Sequence, residues 1–156
     1  MYRLGFLLIF LCASVVTRSQ TVNFDTHIPI YQKDSATFYI SALISGEIMT
    51  EFVIDTGSGY VTINSKTIAI LEKGGKASFL KEIKAVMANG KEIVVPVYNV
   101  TSINLGSNCL IQDIEVAILP GSRRNILGLS ALTKTAPFAI DTSPLSLLLS
   151  NCSNKA

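Results

Sequence analysis

The stretch Phe52-Val53-Ile54-Asp55-Thr56-Gly57-Ser58 ends an apolar strand on a carboxylate, a hydroxyl and a glycine. A carboxylate beside an apolar core is unfavourable unless it is hydrogen-bonded or partly protonated. We therefore expect Asp55 to lie in a specific polar pocket, as a general acid or base requires. Because Asp, Gly and Ser are also common in ordinary β-turns, this interpretation needs support from the rest of the chain.

Length and composition favour one domain behind a targeting segment. With 156 residues and 49% apolar content, the chain can bury one sizeable core and is too short for two full domains. The uncharged run from Leu4 to Val16, between Arg3 and small residues near Ser19, is typical of a secretory signal peptide over residues 1–19. The run is shorter than the roughly 20 residues that span a bilayer, so an uncleaved anchor is the weaker alternative.

The charge pattern argues against a nucleic-acid partner. Removal of residues 1–19 takes away two of the 13 basic residues and no acids, which leaves 11 basic and 11 acidic side chains. Arg123-Arg124 is the only basic cluster, and it resembles a solvated loop rather than the footprint of a nucleic-acid binder. We expect an exported protein, periplasmic or secreted, with no stable membrane span once the signal is removed.

The cysteine and histidine content excludes several kinds of site. Cys109 and Cys152 remain after signal cleavage, and an oxidising compartment would permit a disulfide that closes a long loop. Two isolated thiols and a single histidine, His27, argue strongly against a Cys/His nucleophile or a multi-histidine metal site, and no zinc ligand set can be assembled. We predict no metal and no cofactor.

The hydrophobic pattern of the mature chain is mostly that of strands. Thr37–Ile44 and Ile48–Ile54 flank a Ser45-Gly46 turn, which predicts a hairpin leading into Asp55. A second hairpin is predicted around Asn89-Gly90, because both residues tolerate the positive φ of a type I′ turn. In the strand that contains Ile114, Val116 and Ile118, the alternation with Asp113, Glu115 and Ala117 predicts one buried and one wet face.

Two helical segments interrupt the strands. Ser65 can cap a short helix over Lys66–Glu72, which Lys73-Gly74-Gly75 should end. Ile126-Leu127-Gly128 closes a short apolar strand before a helical turn, and taken alone it is a strand-to-helix junction with a glycine hinge. The fold class is therefore small and all-β, with one or two short helices.

In this order, the elements resemble the retropepsin-like aspartic peptidases, the single-lobed relatives of pepsin. The likeness rests on Val53–Ser58 as the apolar-apolar-Asp-Thr-Gly-Ser motif, a flap hairpin around Asn89-Gly90, Ile126–Gly128 before a short helix, and a terminal strand pair over Phe138–Leu149. It implies a small closed barrel over residues 35–150, after an N-terminal extension at 20–34 and before a C-terminal tail at 151–156.

The resemblance also implies the chemistry. Such peptidases hydrolyse peptide bonds in a polypeptide substrate with two carboxylates that share a proton, so Asp55 would face the same residue of a second copy in a homodimer. Thr56 would lock the two loops together, Gly57 would let the backbone approach the carboxylates, and Ser58 would hydrogen-bond the outer oxygen of Asp55. Ile126, Leu127 and Gly128 would pack against the active-site strand. The flap tip would comprise Met87, Ala88, Asn89, Gly90 and Lys91.

One residue departs from the family pattern, one alternative site is rejected, and the cysteine pairing and the function keep alternatives. Gly59 stands where many relatives have Ser, Thr or Asp, which could loosen the loop. Asp141-Thr142-Ser143 is rejected as an internal second half, because it follows the Ile-Leu-Gly segment and lacks the glycine. A Cys109–Cys152 bond would fasten one subunit, whereas a Cys152 pair would link two. The rival function is an exported, non-catalytic peptide-binding or structural β-module on the same fold.

Overall fold

The computed structural model describes residues 21–33, 36–121 and 124–152. The predicted signal peptide at 1–19, Arg123 and residues 153–156 lie outside this part. The strands are β1 (Thr26–Pro29), β2 (Tyr31–Lys33), β3 (Thr37–Ile44), β4 (Ile48–Ile54), β5 (Val61–Ile63), β6 (Ala77–Val86), β7 (Glu92–Leu105), β8 (Cys109–Ile118), β9 (Asn125–Leu127), β10 (Phe138–Thr142) and β11 (Leu145–Leu149). The helices are α1 (Ser65–Lys73) and α2 (Leu129–Leu132), the latter followed by a 3-10 turn at Thr133–Thr135.

Six strands close into a barrel. The larger sheet has the order β2-β3-β4-β9-β5-β8-β7-β6, and β3 also pairs with β7 through Ala42–Leu105 and Ile44–Ile103. The second pairing joins β3 back to the far side of the sheet, so only β2 and β6 remain as appended strands. The predicted small all-β fold with a closed barrel is confirmed.

The barrel encloses the main apolar core. Phe52 from β4, Ile63 from β5, Val116 from β8 and Leu127 from β9 are fully buried in it. Side chains alternate between the two faces of a strand, so one inward side chain in two suffices to fill a small barrel. This packing places the end of β4, where Asp55 follows, at a rigid position.

Residues 26–33 form part of the folded unit, although the sequence analysis assigned them to an extension that ends at residue 34. Strand β1 pairs with β11, and β2 pairs with β3. Ile28 and Ile30 are buried in the core, where Ile28 contacts Gly106 closely. Strands β1, β11 and β10 make a separate three-stranded sheet.

The structure defines the turn type and the helix cap that the sequence analysis left open or assigned to a neighbouring residue. Ser45 and Gly46 both have positive φ, at 50° and 73°, and Glu47 N–H donates to Ile44 O at 3.0 Å. A type I′ turn therefore joins β3 to β4. Helix α1 is capped by Asn64 rather than Ser65, since the Asn64 side chain accepts from Thr67 N–H at 3.0 Å.

The predicted hairpin around Asn89-Gly90 is present, but its turn is not type I′. Only Gly90 has positive φ, at 79°. Gly90 N–H donates to Met87 O at 2.8 Å, and Met87 N–H donates to Lys91 O at 2.9 Å. These bonds describe a β-turn followed by a glycine bulge, the common three-residue hairpin loop. The Asn89 side chain accepts from Lys91 N–H at 3.0 Å, which stabilises negative φ at Asn89.

A disulfide joins the two sheets. Cys109 at the start of β8 is bonded to Cys152, just after β11, with a sequence separation of 43. Cys109 is fully buried, so the bond lies against the core. The end of the three-stranded sheet is thereby fastened to the barrel within one chain.

Candidate active site

Asp55 follows β4 at the point where β4 lies beside β9. The two strands run parallel, with Ile54 opposite Leu127, and Asp55 N–H continues the pairing by donating to Leu127 O at 3.2 Å. The Asp55 side chain is half-buried, and its Oδ1 accepts from Gly57 N–H at 2.8 Å. Ser58 N–H donates to Asp55 O at 3.2 Å and closes the turn. The carboxylate therefore has a defined orientation and remains partly open to solvent.

The motif residues after Asp55 hold the loop in different ways. Thr56 and Gly57 are exposed in the single chain, and a Cβ on Gly57 would lie 3.1 Å from Asp55 Oδ1. The Ser58 hydroxyl was expected to bond the carboxylate, but it donates to Tyr60 O at 2.8 Å. Because a hydroxyl has one proton, that donor is committed to the loop backbone. Ser58 shapes the loop and does not donate to Asp55.

Gly128 lies against the active-site loop so closely that no side chain fits. A Cβ at this position would be 2.2 Å from Tyr60 O and 2.7 Å from Ser58 O. Its φ of −96° is ordinary, so the requirement for glycine comes from the close approach of two backbone segments. Ile126 and Leu127 lead to this contact on β9, where they pair with Val53 and Ile54.

The first N–H groups of α2 donate to the same loop. Leu129 N–H donates to Ser58 O at 2.8 Å, and Ser130 N–H donates to Gly59 O at 3.0 Å. A helix start leaves such donors without partners inside the helix, so α2 and the loop satisfy each other. Gly59 is therefore held through its carbonyl, and a Cβ there would have open space.

Ser130 is a structural residue of the site that the sequence analysis missed. Its Oγ accepts from Val61 N–H at 2.9 Å and donates to Glu115 O at 2.9 Å. It thereby joins α2, the start of β5 and strand β8. The only sequence signal was its place two residues after Gly128, which is too common a pattern to identify it.

The flap hairpin consists of β6, β7 and the tip at Met87–Lys91. A second apolar cluster lies under its base, and we call it the flap-base cluster. Its buried members are Val95, Val97 and Ala117, with Tyr60, Ile83, Ala85, Ile93 and Leu119 packed against them. Ala117 was predicted to face solvent and is 3% exposed, because this cluster covers the outer face of β8. The cluster connects the flap to the segment that follows Asp55.

Among the described residues, two ion pairs join strands of the larger sheet, Lys81 with Glu115 and Lys33 with Glu51. On the flap side, the hydrogen bond that Lys81 donates to Glu115 is the main cause that raises the pKa of Lys81. On the other side of β4, hydrogen bonds from Lys33 and then Tyr31 lower the pKa of Glu51. Within the described ranges, no group of three or more His, Cys, Asp or Glu residues is arranged to hold a metal ion. None of the helices in that part is long and apolar enough to cross a membrane.

Asp141 lies in the other sheet. It pairs with Ser146 across the β10–β11 hairpin, and its Oδ1 accepts from Ser143 N–H at 2.9 Å. The structure thus separates Asp141 from the barrel loop that carries Asp55.

Comparisons with known proteins agree with this architecture. A family model described as "gag-polyprotein putative aspartyl protease" matches residues 40–134. Among solved structures, the chain is similar to a retropepsin-like aspartic protease from Rickettsia conorii, with a TM-score of 0.60 and 21% identity over 83% of this chain and 97% of that one. At this identity the likeness shows the fold. A search of curated proteins gives no match.

Proposed function

The chain belongs to the gag-polyprotein aspartyl protease family, and from this we propose that it is an endopeptidase whose active site forms when Asp55 faces the partner's Asp55 across a two-fold axis. Peptide hydrolysis of this kind needs two carboxylates, and one chain supplies a single Asp-Thr-Gly motif. An isologous dimer provides the second carboxylate from the same surface of the other copy.

One observation supports the proposal above the others. The loop that carries Asp55 is held from two sides. Asp55 N–H donates to Leu127 O, and the first N–H groups of α2 donate to Ser58 O and Gly59 O. A half-buried carboxylate on a loop held in this way suits catalysis, because a positioned acid or base lowers the barrier to proton transfer.

The chemistry follows from two carboxyl groups that share one proton. Two carboxyl groups at close range cannot both ionise, because their charges repel, so one group is the base and the other the acid. The ionised carboxylate takes a proton from water as its oxygen attacks the scissile carbonyl carbon, and the protonated carboxyl donates to the carbonyl oxygen. The tetrahedral intermediate then collapses: the C–N bond breaks, the nitrogen is protonated, and a carboxylic acid and an amine are released.

The surface for dimerisation is proposed from the resemblance and from exposure. Thr56 and Gly57 are exposed in the single chain, where a second loop would cover them. The sheet β1-β11-β10 contains the terminal strands, near which relatives place dimer contacts. Since Cys152 is bonded to Cys109, we propose a non-covalent dimer.

Export is part of the proposal. The signal-like residues 1–19 predict an oxidising compartment, and a Cys109–Cys152 disulfide is the kind of bond that persists there. N-terminal sequencing of protein recovered from cells should begin near residue 20, and thiol labelling of unreduced protein should find neither cysteine. A start at Met1 with reactive thiols at Cys12, Cys109 and Cys152 would contradict export.

The proposal is tested by incubating residues 20–156 with a mixed peptide library from acidic to mildly alkaline pH. The wild type is expected to cleave, and Asp55→Asn is expected to leave no products. Asp141→Asn is the matched control, since it changes an aspartate with the same local hydrogen bond and should preserve cleavage. Identical products from wild type and Asp55→Asn, or none from wild type, would remove the peptidase assignment.

A further inference from the structure

A polar cluster at the base of the flap links β6 to the active-site loop. Lys81 Nζ on β6 lies 2.8 Å from Glu115 Oε2 on β8, and 5.8 Å from the centroid of the Tyr60 ring. Tyr60 belongs to the segment between Asp55 and β5. An ammonium group is thus held over an aromatic ring at one end of the space between loop and flap.

The backbone that carries the Tyr60 ring is firmly held. Tyr60 O accepts from the Ser58 hydroxyl at 2.8 Å, and Gly128 packs against the same carbonyl. The next residue, Val61, donates its N–H to Ser130 Oγ at 2.9 Å. Because the ring is rooted on a fixed backbone and packs on the flap-base cluster, it forms a rigid wall for whatever lies beside it.

A β-bulge aims Lys81 at that wall. The register between β6 and β7 shifts between Phe79 and Lys81, which makes Leu80 the extra residue. Bulges redirect the side chains that follow them. Beyond the bulge, Lys81 shares a face of β6 with Ile83 and Ala85, which pack on the flap-base cluster. Lys81 therefore lies on the face of the flap that is turned toward the loop.

The contact between Lys81 and Glu115 is weak enough to exchange. Their side chains are 43% and 38% exposed, and an ion pair with such exposure contributes little to stability. The hydrogen bond that Lys81 donates to Glu115 raises the pKa of Lys81, so the ammonium keeps its charge across the acidic and neutral range. A carboxylate from a bound peptide can replace Glu115 at little cost.

We propose that Lys81, held above Tyr60, is a specificity-determining residue that binds an acidic side chain of the substrate, and that Glu115 competes with this side chain for the ammonium. The inference rests on the proposed function and adds a substrate preference to it. It predicts that peptides with Glu at the position that Lys81 contacts, or at the symmetry-related position on the other side of the scissile bond, are cleaved faster than the same peptides with Gln.

The test uses matched Glu and Gln peptides scanned through every position, above pH 5 so that the glutamyl side chain is ionised. Wild type is expected to favour Glu at the selected position by up to about fivefold in kcat/KM, which corresponds to about 1 kcal/mol. The difference should lie in KM, because the contact is with a side chain rather than with the reacting bond.

Variants separate a specific contact from a structural role. Lys81→Gln should abolish the preference, Lys81→Arg should keep it, and Lys81→Glu should reverse it toward Lys-containing peptides. Glu115→Gln should increase the preference for Glu, since it removes the competitor. Lys84→Gln is the control on the same strand: Lys84 is also exposed but lies on the opposite face, so the preference should not change.

The outcomes are distinguishable from a failure of the proposed function. If wild type cleaves Glu and Gln peptides equally well at every position, or if Glu115→Gln leaves the ratio unchanged, the inference is wrong and the peptidase stands. If wild type cleaves no peptide, the proposed function falls and the inference with it. Loss of cleavage of all peptides by Lys81→Gln, with unchanged thermal stability, would show a general role for Lys81 and overturn the specificity role.

Discussion

Of the three Asp-Thr pairs in the chain, those at Asp55 and Asp141 share a local hydrogen-bond pattern, and only the first is built into the candidate active site. In Asp55–Ser58 and in Asp141–Pro144, the aspartate Oδ1 accepts from the backbone N–H two residues later, at 2.8 and 2.9 Å. Both aspartates are half-buried. The difference is what surrounds them: the first follows a barrel strand and is packed by Gly128 and α2, whereas the second belongs to a hairpin. Local geometry alone therefore does not make an active site.

The largest expected effect concerns the Cys109–Cys152 disulfide, which joins the barrel that carries Asp55 to the sheet that carries Asp141. The double variant Cys109→Ala/Cys152→Ala should lower the free energy of unfolding by about 4 kcal/mol, because the unfolded chain regains the entropy of a loop with a separation of 43 residues. Urea unfolding without reductant measures it. Wild type treated with dithiothreitol should match the variant, and equal midpoints for untreated wild type and the variant would contradict the disulfide.

The next effect tests whether close packing by Gly128 stabilises the Asp55 loop, a contact that the Asp141 segment lacks. Gly128→Ala should destabilise the protein by about 3 kcal/mol or more and reduce cleavage, since its Cβ would meet backbone oxygen that cannot move freely. Gly59→Ala is the matched control with open space, and it should change the free energy of unfolding by about 0.5 kcal/mol or less. Urea unfolding measures both variants. Similar losses in the free energy of unfolding for Gly128→Ala and Gly59→Ala would refute the packing argument.

A smaller effect separates the serines of the two regions. Ser130→Ala should cost about 2 kcal/mol, because Val61 N–H and Glu115 O would each lose a hydrogen-bond partner. Ser143→Ala beside Asp141 removes an exposed hydroxyl and should cost about 0.5 kcal/mol or less. The comparison fails if thermal unfolding shows equal shifts for the two variants.

The smallest effect is electrostatic and serves to interpret pH profiles. Since the pKa of Glu51 is lowered below 4.5, its interaction with Lys33 stabilises the fold above that pH and is lost as the pH falls through the folded pKa. Glu51→Gln should therefore weaken the loss of stability on acidification below about pH 4.5, without changing the pH dependence of cleavage. A shifted pH profile of cleavage would mean that acid unfolding, not the Asp55 pair, sets it.

The sequence was sufficient for those parts of the fold that depend on short patterns. The strand pattern predicted a small all-β fold, and the family resemblance carried by the Asp-Thr-Gly-Ser motif, the Ile126–Gly128 segment and the hairpins implied a closed barrel; the structure confirms both. These features are local or arise from the order of elements, so one chain without relatives suffices to recognise them.

The remaining features depend on partners far apart in sequence. Residues 26–33 looked like an extension because their strand partners, β11 and β3, cannot be identified from residues 26–33 alone. Ser58 was assigned to Asp55, yet its proton goes to Tyr60 O, a choice set by the path of the loop. The Lys81–Glu115 contact also spans separate strands, so no spacing in the sequence could predict it.

The central claim is that the Asp55 loop is half of an active site that a second copy completes. Mixing wild type with increasing Asp55→Asn at constant total chain concentration, under conditions that allow subunit exchange, tests this directly. If two copies of Asp55 are required, an equal mixture should retain about one quarter of the cleavage rate, because about one dimer in four has both carboxylates. Mixing wild type with Asp141→Asn instead should leave the rate unchanged, because that variant keeps Asp55. A rate that falls only to about one half with Asp55→Asn, as independent chains would give, would contradict the account.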